Sequence, residues 1–203
     1  PSIEMAWKSE AQPEEMNATI IGQLNNLVKS LVGRIMDERF TDITSKPGAP
    51  FLNANFYIGD LIYETVEAAA GDADLREDNI LEGFRAFYTE IERMKRYGFT
   101  AAEYERAKAD IISMEEAAVE RAATRKNPEF IRELLNNFFD QKSYLEPSMK
   151  KQISEALLGQ IGVDQINQIV PQLITDENLV VIYSGPEKEG YPTPSKEQIL
   201  QII

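Results

Sequence analysis

The chain has 203 residues, 43% of them hydrophobic, enough for one large domain or two small ones with a proper core. Its 34 acidic and 21 basic residues give a net charge of −13, which repels phosphate backbones and argues against nucleic-acid binding, although a cationic peptide or basic protein would be tolerated. The absence of cysteine rules out a disulfide framework. The absence of histidine rules out a Ser-His-Asp triad, a Cys-His pair and a His-based zinc site made by this chain alone.

No apolar run approaches the roughly 20 residues of a membrane span, and no signal-peptide pattern precedes the first strand, so no membrane insertion is expected. The chain opens Pro-Ser-Ile without an initiator Met, which suggests a piece of something longer. Ile3, Met5 and Trp7 alternate with polar neighbours and predict a half-buried strand. Met16, Ile20, Leu24, Leu27, Leu31 and Ile35 then step by threes and fours, widened by Ile21, Val28 and Val32. This predicts a helix over 13–39, buried along most of its length. A polar loop over 41–50 leads into a strand over 51–58 and a second over 61–70. The Gly59-Asp60 pair reads as their hairpin turn, and residues 71–74 as the end of the second strand.

From Asp78 the periodicity is helical for about a hundred residues. Ile80, Phe84, Phe87, Ile91 and Met94 mark a helix that stops at Gly98. A capping box at Thr100 and Glu103 opens the next, to about Ala123. Asn127 as an N-cap before Pro128 predicts a helix to about Gln141, Pro147 another to about Leu158, and residues 163–174 a last one kinked at Pro171. Residues 179–184, apolar on both faces, read as an interior strand. Gly190 to Pro194 reads as a linker, and 195–203 as a short capped helix whose isoleucines need a partner surface. This order predicts an α+β domain, with a mostly antiparallel sheet and helices packed on one face, over 1–187, followed by the linker and helix of 188–203.

Few side chains suggest chemistry. Glu115, Glu116 and Glu120 could hold a metal, but helical di-metal centres add histidines, so a solvated helix face is the expectation. Asp72 and Asp74 lack the register of a calcium loop and read as turn residues. Gly185 and Gly190 match no phosphate loop. Arg34 and Arg39 are expected to pair with Asp37, Glu38 or a sheet carboxylate, with contact to a peptide carboxylate as the alternative. Tyr57, Tyr63, Phe84 and Phe87 read as core.

Three stretches carry a resemblance. They are Gly-Arg-Ile-Met-Asp-Glu-Arg-Phe at 33–40 with Pro-Gly-Ala-Pro-Phe-Leu-Asn-Ala-Asn-Phe at 47–56, the run from Glu90 to Asp110, and Thr175 to Glu187. Together they resemble the pitrilysin/insulinase zinc peptidases, related to mitochondrial processing peptidase, and within them a long bacterial type. The resemblance implies several copies of one processing-peptidase-like domain around a chamber, one of them bearing the zinc motif His-x-x-Glu-His. It implies that the 13–39 helix stands where the catalytic copy has its zinc helix, with Leu24, Leu27 and Leu31 in place of histidines. No catalytic, cofactor-binding or metal-ligating residue is therefore assigned to this chain. The implied role is a non-catalytic, chamber-wall and peptide-holding domain, with the catalytic domain of the same parent and unfolded peptide as partners. Zinc is expected in the parent only, and a periplasmic or envelope location goes with the family. Two alternatives stand beside it: a stand-alone scaffold or assembly protein of the same fold, and a hydrolase that uses two carboxylates alone.

Overall fold

The computed structural model describes residues 1–63, 65–175, 177–186 and 193–203. Four strands form one antiparallel sheet in the order β2-β3-β1-β4: β1 (Ser2–Glu10), β2 (Phe51–Ile62), β3 (Val66–Leu75) and β4 (Leu179–Ser184). On β1 the side chains of Ile3, Met5 and Trp7 are buried, while Glu4 and Lys8 are exposed, so the period-two pattern turns one sheet face to the core. Six helices of more than ten residues follow the sequence pattern: α1 (Ile20–Thr44), α2 (Ile80–Tyr97), α3 (Ala101–Glu120), α4 (Asn127–Asp140), α5 (Pro147–Leu158) and α6 (Val163–Leu173). A short α7 (Lys196–Leu200) follows, and its Ile199 and the nearby Ile202 pack against the main core. The result is the expected α+β architecture. The domain boundary expected at 187/188 and the expected linker's first residues lie outside the described residues.

The core centres on three phenylalanines from three elements. Phe40 of α1, Phe51 of β2 and Phe87 of α2 meet with ring centroids 5.4 to 6.4 Å apart, two of the pairs edge-on. Leu31, Val32, Ile35 and Met36 extend this core along α1, and Phe84, Ile91 and Met94 along α2. At the α2–α3 turn Gly98 has a φ of 65°, and Asn167 of α6 bonds both peptide groups of Phe99 at 2.7 and 2.9 Å. The Thr100 capping box then starts α3 as predicted.

Several expectations are corrected. α1 begins at Ile20, not Pro13, because Thr19 caps it and residues 14–16 form a separate 3-10 turn. It also runs on to Thr44, since Phe40 must reach the core. Ile20 and Ile21 are more than half exposed, so apart from Gly22 the buried residues of the helix begin at Val28. The chain does not turn at Gly59-Asp60, which lie within β2 opposite Ala68 and Glu67. β2 carries that pair to its end at Ile62, with a register shift between Asp60 and Ile62, and β3 continues through Asp72 and Asp74 to Leu75. Lys126, not Asn127, occupies the cap position of α4. β4 is an edge strand and not an interior one; its side chains are half-buried or exposed. Tyr57 and Tyr63 are exposed at 39% and 64%, while Phe84 and Phe87 are core.

Candidate functional site

The stretch of residues 33–60 forms much of one wall of a groove of about 710 Å³. α1 supplies Leu27, Gly33, Arg34 and Asp37, and β2 supplies residues 55–60. α3 contributes Ile111 and Met114, and α5 contributes Lys150 and Ser154. Gly33 explains how a helix can lie so close to a strand edge. A Cβ there would stand 3.3 Å from the Phe56 carbonyl oxygen, tighter than most such contacts.

β2 is the outer strand, so one row of its peptide groups faces the groove and not β3. The Phe56 amide points that way and donates to Asp37 Oδ1 at 3.5 Å. By the alternation of an antiparallel ladder, Ile58 and Asp60 turn their N–H and C=O groups in the same direction. Burial raises the Asp37 carboxyl above its ordinary value, and the Asp72 charge adds to this. The Phe56 hydrogen bond and the Arg34 charge pull the other way.

Three of the groove's cations are matched: Lys29 to Glu67, Lys150 to Glu115 at 3.1 Å and Lys142 to Asp140 at 3.0 Å. Glu115 is therefore a buried, ion-paired residue and not part of a solvated face, whereas Glu116 and Glu120 are exposed as expected. Arg34 reaches Met114 Sδ and, among the described residues, has no carboxylate within ion-pair distance. The expected pairing of Arg34 with Asp37 or Glu38 is thus replaced by a guanidinium lining the groove.

Arg39 ties the C-terminal half of α1 to α2 and α3. Its Nε meets Glu103 Oε1 at 2.6 Å, and its Nη2 meets Glu103 Oε2 at 3.1 Å and the Gly98 carbonyl at 2.9 Å. Its Nη1 lies 3.3 Å from Glu90 Oε1, and its guanidinium 5.0 Å from the Phe99 ring centre. The structural pairing expected for this arginine is present, with helix partners in place of Asp37, Glu38 or a sheet residue.

Burial pushes the Glu103 carboxyl up, but the Arg39 hydrogen bond, the Thr100 amide and hydroxyl and the Arg39 charge outweigh it and hold its pKa at about 2. Because the folded pKa lies below the ordinary value of 4.5, the stabilisation is present above pH 4.5 and is lost as pH falls toward about 2. After allowance for solvent screening it amounts to about 1–2 kcal/mol. Urea unfolding of Glu103→Gln is therefore expected to show a shallower loss of stability across that window than the parent sequence.

These donors do not fit a zinc ion. The sequence has no His or Cys, and among the described residues no three acidic side chains come together as a metal-holding group. Glu67 and Glu115 are held by lysines. No motif in the sequence marks Asp37, Asn55 or Ile58 as groove residues.

The sheet and helix layer define the domain fold of insulinase-type zinc proteases. Among solved structures, the chain is similar to PqqL, a periplasmic protease of Escherichia coli, with a TM-score of 0.85 and 17% identity over 99% of this chain and 22% of that one. It is also similar to an insulinase family protein from Yersinia pestis (TM-score 0.74, 12% identity, 99% of this chain and 42% of that one). A third is an inactive peptidase M16 domain from Pseudomonas fluorescens (TM-score 0.58, 11% identity, 89% and 40%). The chain thus spans less than half the length of each. No family model and no curated protein matches the sequence. Among the described residues no helix is long and apolar enough to cross a membrane.

Proposed function

We propose that this chain is a non-catalytic domain of an insulinase-type zinc metalloendopeptidase. It holds an unfolded peptide and forms part of a chamber wall beside a zinc-bearing catalytic domain of the same polypeptide. Residues 1–187 form the domain in this reading, and 188–203 a linker and terminal helix. The observation that carries it is the groove, in which the outward peptide groups of Ile58 and Asp60 offer an extended segment a strand to pair with. The groove's lining contains neither histidine nor cysteine, so it does not offer the usual ligand set of a zinc site.

Ile58→Pro tests this directly. It removes an amide that faces the groove while leaving the ladder to β3 in place, a substitution an edge strand tolerates. Fluorescence anisotropy with a labelled unstructured peptide is expected to show affinity reduced roughly 10-fold, the worth of a backbone hydrogen bond, with an unchanged circular dichroism spectrum. Unchanged affinity would remove the β2 edge from the binding site. An upstream His-x-x-Glu-His in the same reading frame separates this reading from a stand-alone scaffold of the same fold.

A further inference from the structure

Of the cations that line the groove, Arg34 alone lacks a carboxylate partner among the described residues. Lys29, Lys142 and Lys150 are paired with Glu67, Asp140 and Glu115, whereas the Arg34 guanidinium reaches the thioether of Met114, a weak acceptor. The two carboxylates one turn along α1 are engaged elsewhere. Asp37 accepts from the Phe56 amide at 3.5 Å, and Glu38 is held by Arg106 at 2.6 Å. Arg34 is half-buried, so water serves its N–H groups only in part, and a carboxylate matches a planar guanidinium in both shape and charge. Met114 does not block such a contact: it is 56% exposed, and its unbranched side chain can swing away.

Arg34 also stands beside the strand edge that offers its peptide groups. It follows Gly33, whose backbone lies against the Phe56 carbonyl, and it shares the groove's lining with Ile58 and Asp60. We propose that Arg34 is a specificity residue that binds a carboxylate of the peptide held along β2, supplied by an Asp or Glu side chain or by a free C-terminus; the inference rests on the functional reading above. The ligand carries one such group and not several. Asp37 and Asp60 share the lining and the chain has a net charge of −13, so a polyacidic segment is repelled.

Fluorescence anisotropy on the 203-residue chain with three labelled, unstructured peptides of one sequence tests the proposal. The first has no acidic residue and an amidated C-terminus, the second adds one internal Glu to it, and the third instead has a free C-terminus. The second or the third is expected to bind about 10-fold more tightly than the first, the worth of a charge-assisted hydrogen bond. A gain with the internal Glu assigns the site to a side chain, and a gain with the free C-terminus to a chain end. Arg34→Met should bring the preferred peptide to within about 2-fold of the uncharged one, while Arg34→Lys, which keeps the charge without the planar fork, should retain part of the preference. Equal binding of all three peptides to the unsubstituted chain overturns the inference and leaves the holding role in place. A preference that persists undiminished in Arg34→Met overturns it as well. If none of the peptides binds, the holding role falls with it.

Discussion

Replacing Arg39 with Met is expected to lower the unfolding free energy by about 3–5 kcal/mol, measured by urea denaturation at pH 7. The side chain is long enough to refill the space, so the loss isolates the charge. Glu90 is 6% exposed and Glu103 15% exposed at their side chains, and neither can rehydrate freely once the guanidinium is gone. Arg93 still reaches Glu90 at 2.9 Å and the Thr100 amide still donates to Glu103 at 2.7 Å, which places the effect toward the lower end of that range. Because the destabilisation comes from stranded carboxylates, adding Glu90→Gln and Glu103→Gln to Arg39→Met should recover most of it. A loss below about 1 kcal/mol for Arg39→Met would show that the cluster is solvated and does not fasten α1 to α2 and α3.

Phe87→Ala is expected to cost about 3–5 kcal/mol in the same measurement, because its ring is fully buried and contacts both Phe40 and Phe51. The surroundings have little room to collapse into the cavity. Gly71 lies against Phe87, where even a Cβ would come within 3.0 Å of Cζ, so the backbone of β3 already fills that side. Phe138→Ala on α4 is the matched control. With 79% of that residue exposed, the change should fall within about 0.5 kcal/mol in the isolated chain. A large effect at Phe138 would mean that the exposed face of α4 is packed within the chain.

The α+β class, the four strands and the six long helices were legible because most elements present one apolar face at their own period and 179–184 is a short β-branched apolar run. Local chemistry placed the ends where it is strong: the Thr100 capping box and Gly98 fell where expected. It misled where two signals compete. Gly59-Asp60 has turn chemistry, but residues on both sides find partners on β3, and tertiary pairing overrides the local preference. Leu179 to Ser184 has the apolar composition of a central strand, yet it lies at the sheet edge, and composition reports the environment of the side chains without fixing strand order. The groove was the least legible feature. Arg39 and Arg34 look alike in sequence, five residues apart on one helix, but that separation turns one toward Glu90 and Glu103 and the other toward Met114 and the groove. Only the placement of α2 and α3 distinguishes them.

The most direct test of the account is a cleavage measurement on the purified chain. The chain is incubated with one equivalent of zinc and an unstructured reporter peptide, with and without a chelator, and the peptide is followed by mass spectrometry. A domain that holds peptide without cleaving it leaves the reporter intact in both samples. Cleavage that co-purifies with the chain, is abolished by the chelator and disappears in Asp37→Asn would place catalysis in this groove and contradict the account.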